Sequence, residues 1–198
     1  YPEDSELSSN EMFEKRAGLL AEFGKIVCIS VGFVLENGTT KLDSFTGAPE
    51  GTAGGLGDEK DILTKCSDLL KRIDKLGFLI CGHNVKNFDL PYIAKRMVIN
   101  GIAVPEIIPN YKIKPWESRV LDTKEVWNFN SYRGLSSLEL VCASVGIPNP
   151  KDNEVNGANL HSFYYDCDFF MSNKIEKIKK YCEEDVLSLI NFVKKINN

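Results

Sequence analysis

The chain has 198 residues, of which 43% are apolar and 26% are charged, with a formal net charge of -4. This balance is typical of a soluble globular domain that can bury a core, and it excludes a disordered chain. No apolar run approaches the roughly 20 residues that a membrane span needs. The net negative charge argues against binding of duplex nucleic acid through an extended basic surface. We expect one domain over residues 1–198.

The cysteines and the N-terminal residues indicate in which cellular compartment the protein is expected. The two histidines and the absence of any C-x-x-C pair argue against a structural zinc site. The six cysteines favour reduced packing residues and a cytoplasmic protein; they are Cys28, Cys66, Cys81, Cys142, Cys167 and Cys182. The N-terminus has no signal-peptide pattern. It also has no initiator Met, which suggests that residues are missing upstream.

The first elements are a helix and a hairpin. Ser8-x-x-Glu11 is a capping-box pattern and predicts a helix through about residue 23. Residues 25–35 are β-branched and nearly all apolar, which predicts a strand covered on both faces. Asn37-Gly38 predicts a type I′ turn into a second strand, residues 39–46.

A glycine-rich loop and a helix follow. Residues 47–57 match neither the G-K-[ST] nor the G-x-G-x-x-G pattern, so we interpret them as a flexible loop. Asp58 then caps a helix that ends at Gly77. Its apolar positions share one face; they are Ile62, Leu63, Cys66, Leu69, Leu70 and Ile73.

Residues 78–89 join a predicted buried strand to a helix. The apolar run breaks at Gly82 into a polar turn that ends on Asp89, where a helix opens and continues to Asn100-Gly101. A purely structural interpretation is also open. The sole role of Asp89 could be that of a helix N-cap, and His83 and Asn84 could be no more than turn-forming residues. Residues 119–123 predict a short strand that presents Asp122, either as a structural residue or as a support for a site. Ser136-x-x-Glu139 is a second capping box, and residues 158–171 suggest a short aromatic helix.

The last predicted helix runs from residue 172 to about 196 with a narrow apolar stripe. Tyr181 and Asp185 lie one turn apart at the edge of that stripe, whereas Glu183 and Glu184 point elsewhere. The pair could be an ordinary solvated helix edge. The nearby lysines could likewise be a solvated face or could meet phosphates; they are Lys174, Lys177, Lys179 and Lys180.

Asp185 has no Lys or Arg at the helical i-4 or i+4 position, so a carboxylate there is costly unless another cation compensates it. Mg2+ or Mn2+ is such a cation and takes oxygen ligands. Two metals roughly 3.5 to 4 Å apart can activate a water and stabilise the leaving 3' oxygen in phosphodiester hydrolysis. A tyrosine hydroxyl beside that water can orient it or help remove its proton.

Two motifs carry a family resemblance. Asn84-x-x-x-Phe88-Asp89 and Tyr181-x-x-x-Asp185 resemble the second and third motifs of the tyrosine-bearing branch of the DEDD superfamily of 3'-5' exonucleases. With the intermediate Val-Leu-Asp-Thr, the chain resembles bacterial predicted exonucleases related to the proofreading domain of family B DNA polymerases. The resemblance implies a ribonuclease H-like α/β fold, a mixed sheet flanked by helices. It also implies Asp89 and Asp185 as metal ligands, Tyr181 near the nucleophilic water, and Asn84 and Phe88, with His83 beside them, near the terminal nucleotide. His161-x-x-x-x-Asp166 mimics a histidine version of the third motif, and its aromatic surroundings suggest packing.

One motif of the family is missing. Such exonucleases carry an Asp-x-Glu on the first, central strand of the sheet, and no Asp-x-Glu on an apolar strand occurs here. The chain is therefore either N-terminally incomplete or has lost that strand. Both interpretations predict weak metal binding and little activity for this chain alone, and an open sheet edge that favours self-association. We expect a metal-dependent 3'-5' exonuclease acting on single-stranded DNA or RNA ends; the alternative is a non-catalytic nucleic-acid-binding or interaction module.

Overall fold

The computed structural model describes residues 16–47, 59–129, 131, 136–147, 160 and 171–197. Several predicted features lie outside these residues: the helix start at Ser8, the glycine-rich loop from residue 48 onward, the Asp58 cap, and His161 with Asp166. The described part contains the hairpin, the strand before Asp89 and the last helix.

The predicted hairpin is confirmed. Strand β1 (Cys28–Val34) pairs antiparallel with strand β2 (Thr40–Thr46). The predicted type I′ turn is wrong, because that turn needs two consecutive residues with positive φ and only Gly38 has one there, at 80°. The N–H of Gly38 donates to the carbonyl of Leu35 over 2.8 Å, which is the pattern of a three-residue loop closed by a left-handed glycine.

Helix α1 (Glu59–Lys75) supplies the centre of the core and ends before Gly77, whose φ is 76°. Its buried apolar side chains lie on one face, as predicted. Ile29 and Phe45 from the hairpin pack against this core, and Ile80 and the buried Val120 from the second sheet belong to it as well. Both sheets therefore rest on α1.

The second sheet consists of strand β3 (Ile80–Gly82) and strand β4 (Val120–Asp122), which pair in parallel. The expectation of a buried strand from residue 78 is wrong at its start, since Phe78 is 55% and Leu79 is 63% exposed. The pairing explains the difference, because only three residues of each strand are in register. Gly82 lies opposite Asp122, so the turn toward Asp89 starts beside that carboxylate.

The remaining helices are short except for the last. They are α2 (Asp89–Ile99), α3 (Thr123–Asn128), α4 (Leu138–Ser144) and α5 (Met171–Ile196), with 3-10 turns at Ala17–Leu19 and Pro115–Glu117. The cap of α4 is one residue later than predicted. Ser137 accepts the N–H of Leu140 at 3.2 Å, whereas the Ser136 hydroxyl hydrogen-bonds Asn128 instead.

Helix α5 covers the face of the hairpin opposite α1. A Cβ at Gly32 would lie 2.6 Å from a methyl group of Val186, so the glycine allows close approach of helix and strand. Ser44 donates to Glu183 over 2.7 Å. These contacts set the distance between α5 and β1. Tyr181 and Asp185 lie on α5, so their position relative to β1 follows from the same contacts.

The mixed α/β class is confirmed, with the strands in two separate two-stranded sheets rather than one. Among the described residues no strand joins β1 to β3. The resemblance places the missing Asp-x-Glu strand at the centre of the sheet, so the ribonuclease H-like arrangement stays a prediction. In the described ranges, no helix combines the length and apolar character required to cross a membrane.

Candidate active site

The turn after β3 delivers Asp89 to the first position of α2. Asn84 adopts φ of 61°, a left-handed conformation that asparagine tolerates better than most residues. Its carbonyl accepts the N–H groups of Asn87 at 3.2 Å and Phe88 at 3.0 Å, which closes the turn. Phe88 occupies the N-cap without a side-chain cap bond. Asp89 therefore lies inside the first helical turn and is not the N-cap.

Asp122 ties this turn to the following segment. Its side chain is 1% exposed, and its Oδ1 accepts the N–H of Asn84 at 2.8 Å. The same oxygen accepts the N–H of Lys124 at 2.9 Å, and Oδ2 accepts that of Lys86 at 3.0 Å. Of the two interpretations left open by the sequence, these three hydrogen bonds favour the first, a structural residue at the end of the strand.

His83 links segments of the same region through hydrogen bonds. Its Nε2 donates to the carbonyl oxygen of Ser136 over 2.8 Å, and its Nδ1 lies 3.0 Å from the Thr123 hydroxyl. The Thr123 hydroxyl also lies 3.2 Å from the carbonyl oxygen of Gly82. Both ring nitrogens thus have protein partners. A contact between His83 and a substrate stays a prediction, and the observed bonds hold β3, α3 and Ser136 together.

Asp89 has an unusual charge environment. Its residue surface is exposed, but surrounding protein atoms withdraw the carboxyl group from bulk water, and this burial raises its pKa to about 6 from an ordinary 3.8. A hydrogen bond from its own N–H works in the opposite direction. The negative charges of Asp122 and Asp185 raise the pKa further. Asp185 is far from Asp89 in sequence, and its charge nevertheless acts on Asp89, with the smallest of these effects on the pKa.

Tyr181 and Asp185 are both half-buried on α5. Glu183 is engaged by Ser44, and Glu184 faces Lys180 at 3.8 Å, so both point away from the site as predicted. The nearby lysines differ from the expected solvated face at one position, since Lys174 is 1% exposed. Some of them line an open cavity of about 440 Å³ along α5, formed by Glu176, Lys177, Lys179, Lys180 and Glu183.

The side chains that could hold a divalent cation are few. In the part of the chain that the structure describes, no group of three or more His, Cys, Asp or Glu side chains is arranged to hold a metal. Asp89 and Asp185 nevertheless supply hard oxygen ligands, and their mutual repulsion is relieved by a cation between them. Mg2+ is commonly bound through one or two carboxylates with substrate phosphates and water completing the shell. Carboxylate oxygens are the donor type that such an ion takes, so binding of a divalent ion by Asp89 and Asp185 stays a prediction.

Two further side chains belong to or contact the turn that leads to Asp89. Phe88 is 41% exposed, with its ring centroid 5.9 Å from that of Tyr92. Lys124 places its Nζ 3.3 Å from Oδ1 of Asn84. Sequence reasoning identified Phe88 but missed Lys124, because the contact joins residues that are neighbours only in the folded chain. The indication that the sequence offered for Lys124 was its position two residues after Asp122.

Comparison with known proteins bears on this arrangement. Residues 19–192 match the model of a family described as predicted 3'-5' exonucleases related to the exonuclease domain of PolB. The chain belongs to this family. The match confirms the resemblance drawn from the two motifs, and an exonuclease-related domain indicates a nuclease type of hydrolase with nucleic-acid substrates. Neither the curated proteins nor the solved structures contained a match to the chain.

Proposed function

We propose that the protein removes nucleotides from the 3' end of single-stranded nucleic acid in a reaction that depends on Mg2+ or Mn2+. The observation that carries this proposal is the electrostatic proximity of Asp89 and Asp185, which come from the turn after β3 and from α5. Burial is the main cause of the raised pKa of Asp89, and the charge of Asp185 adds to it. A divalent cation bound by both carboxylates would offset both effects.

Each residue has a proposed role. Asp89 and Asp185 hold the metal, and the chemistry supplied by bound divalent ions is stabilisation of charge on the attacking and leaving oxygens. The Tyr181 hydroxyl, one helical turn from Asp185, orients the attacking water and helps remove its proton. Asn84 and the exposed ring of Phe88 contact the terminal nucleotide, since an exposed aromatic ring suits stacking on a base. With two carboxylates we expect weak metal binding and slow cutting by residues 1–198.

Shortening of a labelled strand tests the proposal. The full-length protein is incubated with a 5'-labelled single strand and Mg2+ or Mn2+, and a ladder that recedes from the 3' end is expected. Asp89→Ala and Asp185→Ala should each slow the reaction at least about tenfold, because each removes a metal ligand. Asp68→Ala is the control, since Asp68 is 70% exposed on α1 and faces Lys71.

Two results would contradict the proposed exonuclease activity. One is a strand that stays intact with either metal, and the other is a wild-type rate in both the Asp89→Ala and Asp185→Ala proteins. The second candidate, a non-catalytic binding module, is favoured by the observation that the described residues form no three-membered metal group. It predicts that the protein retains the single strand in a gel-shift assay without shortening it.

A further inference from the structure

Lys124 lies beside the turn that leads to Asp89, two residues after the buried Asp122. Its Nζ donates to Oδ1 of Asn84 over 3.3 Å, and no ion pair forms between Lys124 and any carboxylate in the described residues. Lys86, whose N–H also donates to Asp122, is instead paired with Glu125 through its ammonium group at 2.6 Å. An ammonium group has three N–H donors, and a single long bond to a neutral amide leaves Lys124 donors for another acceptor.

The position of Lys124 is fixed by its backbone. Oδ1 of Asp122 accepts the N–H of both Lys124 and Asn84, so one oxygen atom holds the two residues side by side. The hydroxyl of Thr123, the preceding residue, lies within hydrogen-bond distance of His83 and Gly82. A side chain that starts from so constrained a backbone loses less conformational entropy when it binds a ligand.

Lys124 is also connected to the metal-binding residue. Asn84 contacts Lys124 through its side chain, and its carbonyl accepts the N–H of Phe88, the residue before Asp89. Lys124 thus supplies a positive charge beside Asn84, in the turn that leads to Asp89. Because the whole chain has a net charge of -4, attraction to phosphates must come from local groups of this kind.

We infer that Lys124 binds a backbone phosphate of the single strand near its 3' end and thereby positions the strand against Asp89. The inference rests on the proposed function, since it names a residue that contacts the same substrate. A lysine contact of this type acts on every sequence alike and makes binding depend on salt.

Binding without cleavage tests this role. The anisotropy of a fluorescent single strand is measured in EDTA at several NaCl concentrations, so that no metal-dependent cutting occurs. Lys124→Gln should weaken binding about tenfold at low salt, because one charged contact is lost. The slope of log Kobs against log [NaCl] should become shallower by about 0.7, the value for one phosphate on a single strand.

Two controls separate this role from a structural one. Lys124→Arg should keep both the affinity and the slope, and Lys65→Gln, on an exposed pair with Asp61 on α1, should change neither. Thermal midpoints should agree among all variants. Wild-type affinity and slope in Lys124→Gln would overturn the inference while leaving the proposed function intact. Failure of the wild-type protein to bind the strand in EDTA would also overturn this inference, while the shortening assay with Mg2+ or Mn2+ decides the proposed function separately.

Discussion

Asp122 accepts N–H groups from Asn84, Lys86 and Lys124, so a single carboxylate fixes both the turn before Asp89 and the start of α3. Its charge also contributes to the raised pKa of Asp89. This rigidity comes with an additional negative charge that acts on Asp89, one of the two proposed metal ligands. That charge is tolerated because the three N–H groups solvate it.

Asp122→Asn should destabilise the protein by about 1.5–3 kcal/mol, because an amide cannot accept all of these hydrogen bonds. Urea unfolding followed by circular dichroism measures the effect. Asp68→Asn, on the exposed side of α1, should stay within about 0.5 kcal/mol of wild type. An Asp122→Asn protein with wild-type stability would show that the buried bonds do not hold the turn.

At the residue scale, the sequence identified Asp89, Tyr181 and Asp185 through their motifs. It could not assign Asp122, because the decisive hydrogen bonds join it to Asn84 and Lys86, 38 and 36 residues earlier. His83 shows the same limit, since its partners Thr123 and Ser136 are brought near by the fold. Motif spacing predicts which residues carry chemistry, and it says little about what holds them.

At the scale of elements, α1 and α2 are joined by a buried network around Glu59. Its Oε1 accepts the N–H of Ile26 at 2.7 Å and Nε of Arg96 at 2.8 Å, and its Oε2 accepts Nδ2 of Asn100 at 3.0 Å. Burial alone would raise the pKa of Glu59, but the hydrogen bonds from Arg96, Ile26 and Asn100 lower it below 4.5. The sequence predicted no such network, since an acid in the first turn of a helix needs no partner.

Glu59→Gln should cost about 3–5 kcal/mol, because it leaves Arg96 with no charged partner in a buried place. The stabilisation by ionised Glu59 is present above its ordinary pKa of 4.5 and is lost as pH falls through the lower folded-state value. Urea unfolding between pH 7 and pH 3 should therefore show the difference between the proteins shrinking in acid.

The control for this network is Glu22→Gln. Glu22 forms an exposed pair with Lys95 at 2.9 Å, and its loss should cost less than about 1 kcal/mol. If Glu59→Gln and Glu22→Gln lowered the free energy of unfolding equally at neutral pH, the buried network would not be what holds α1 and α2 together.

At the scale of the whole molecule, the order of elements was predictable because it depends on local patterns. The hairpin, the end of α1 at Gly77 and the extent of α5 follow from turn residues and helical periodicity. The division into two sheets was not predictable, because sheet pairing depends on contacts between distant segments. The strands before Asp89 and at Asp122 proved to be three residues long, too short for periodicity to bound.

The site is likewise a property of the whole molecule. Asp89 is placed by β3 and the turn that Asp122 holds, while Asp185 is placed by α5 packed on the hairpin at Gly32. Side chains of both sheets belong to the core that α1 supplies, so the two halves of the site are built on one core. The central claim is that this assembly brings Asp89 and Asp185 together around one divalent cation.

Calorimetric titration of the protein with Mn2+ tests that claim most directly. We expect weak saturable binding that Asp89→Asn and Asp185→Asn each reduce at least about tenfold, with Asp68→Asn unchanged. The affinity should fall as the pH drops below about 6, because a proton then competes with the metal for Asp89. Mn2+ binding that is the same in wild type, Asp89→Asn and Asp185→Asn would contradict the account.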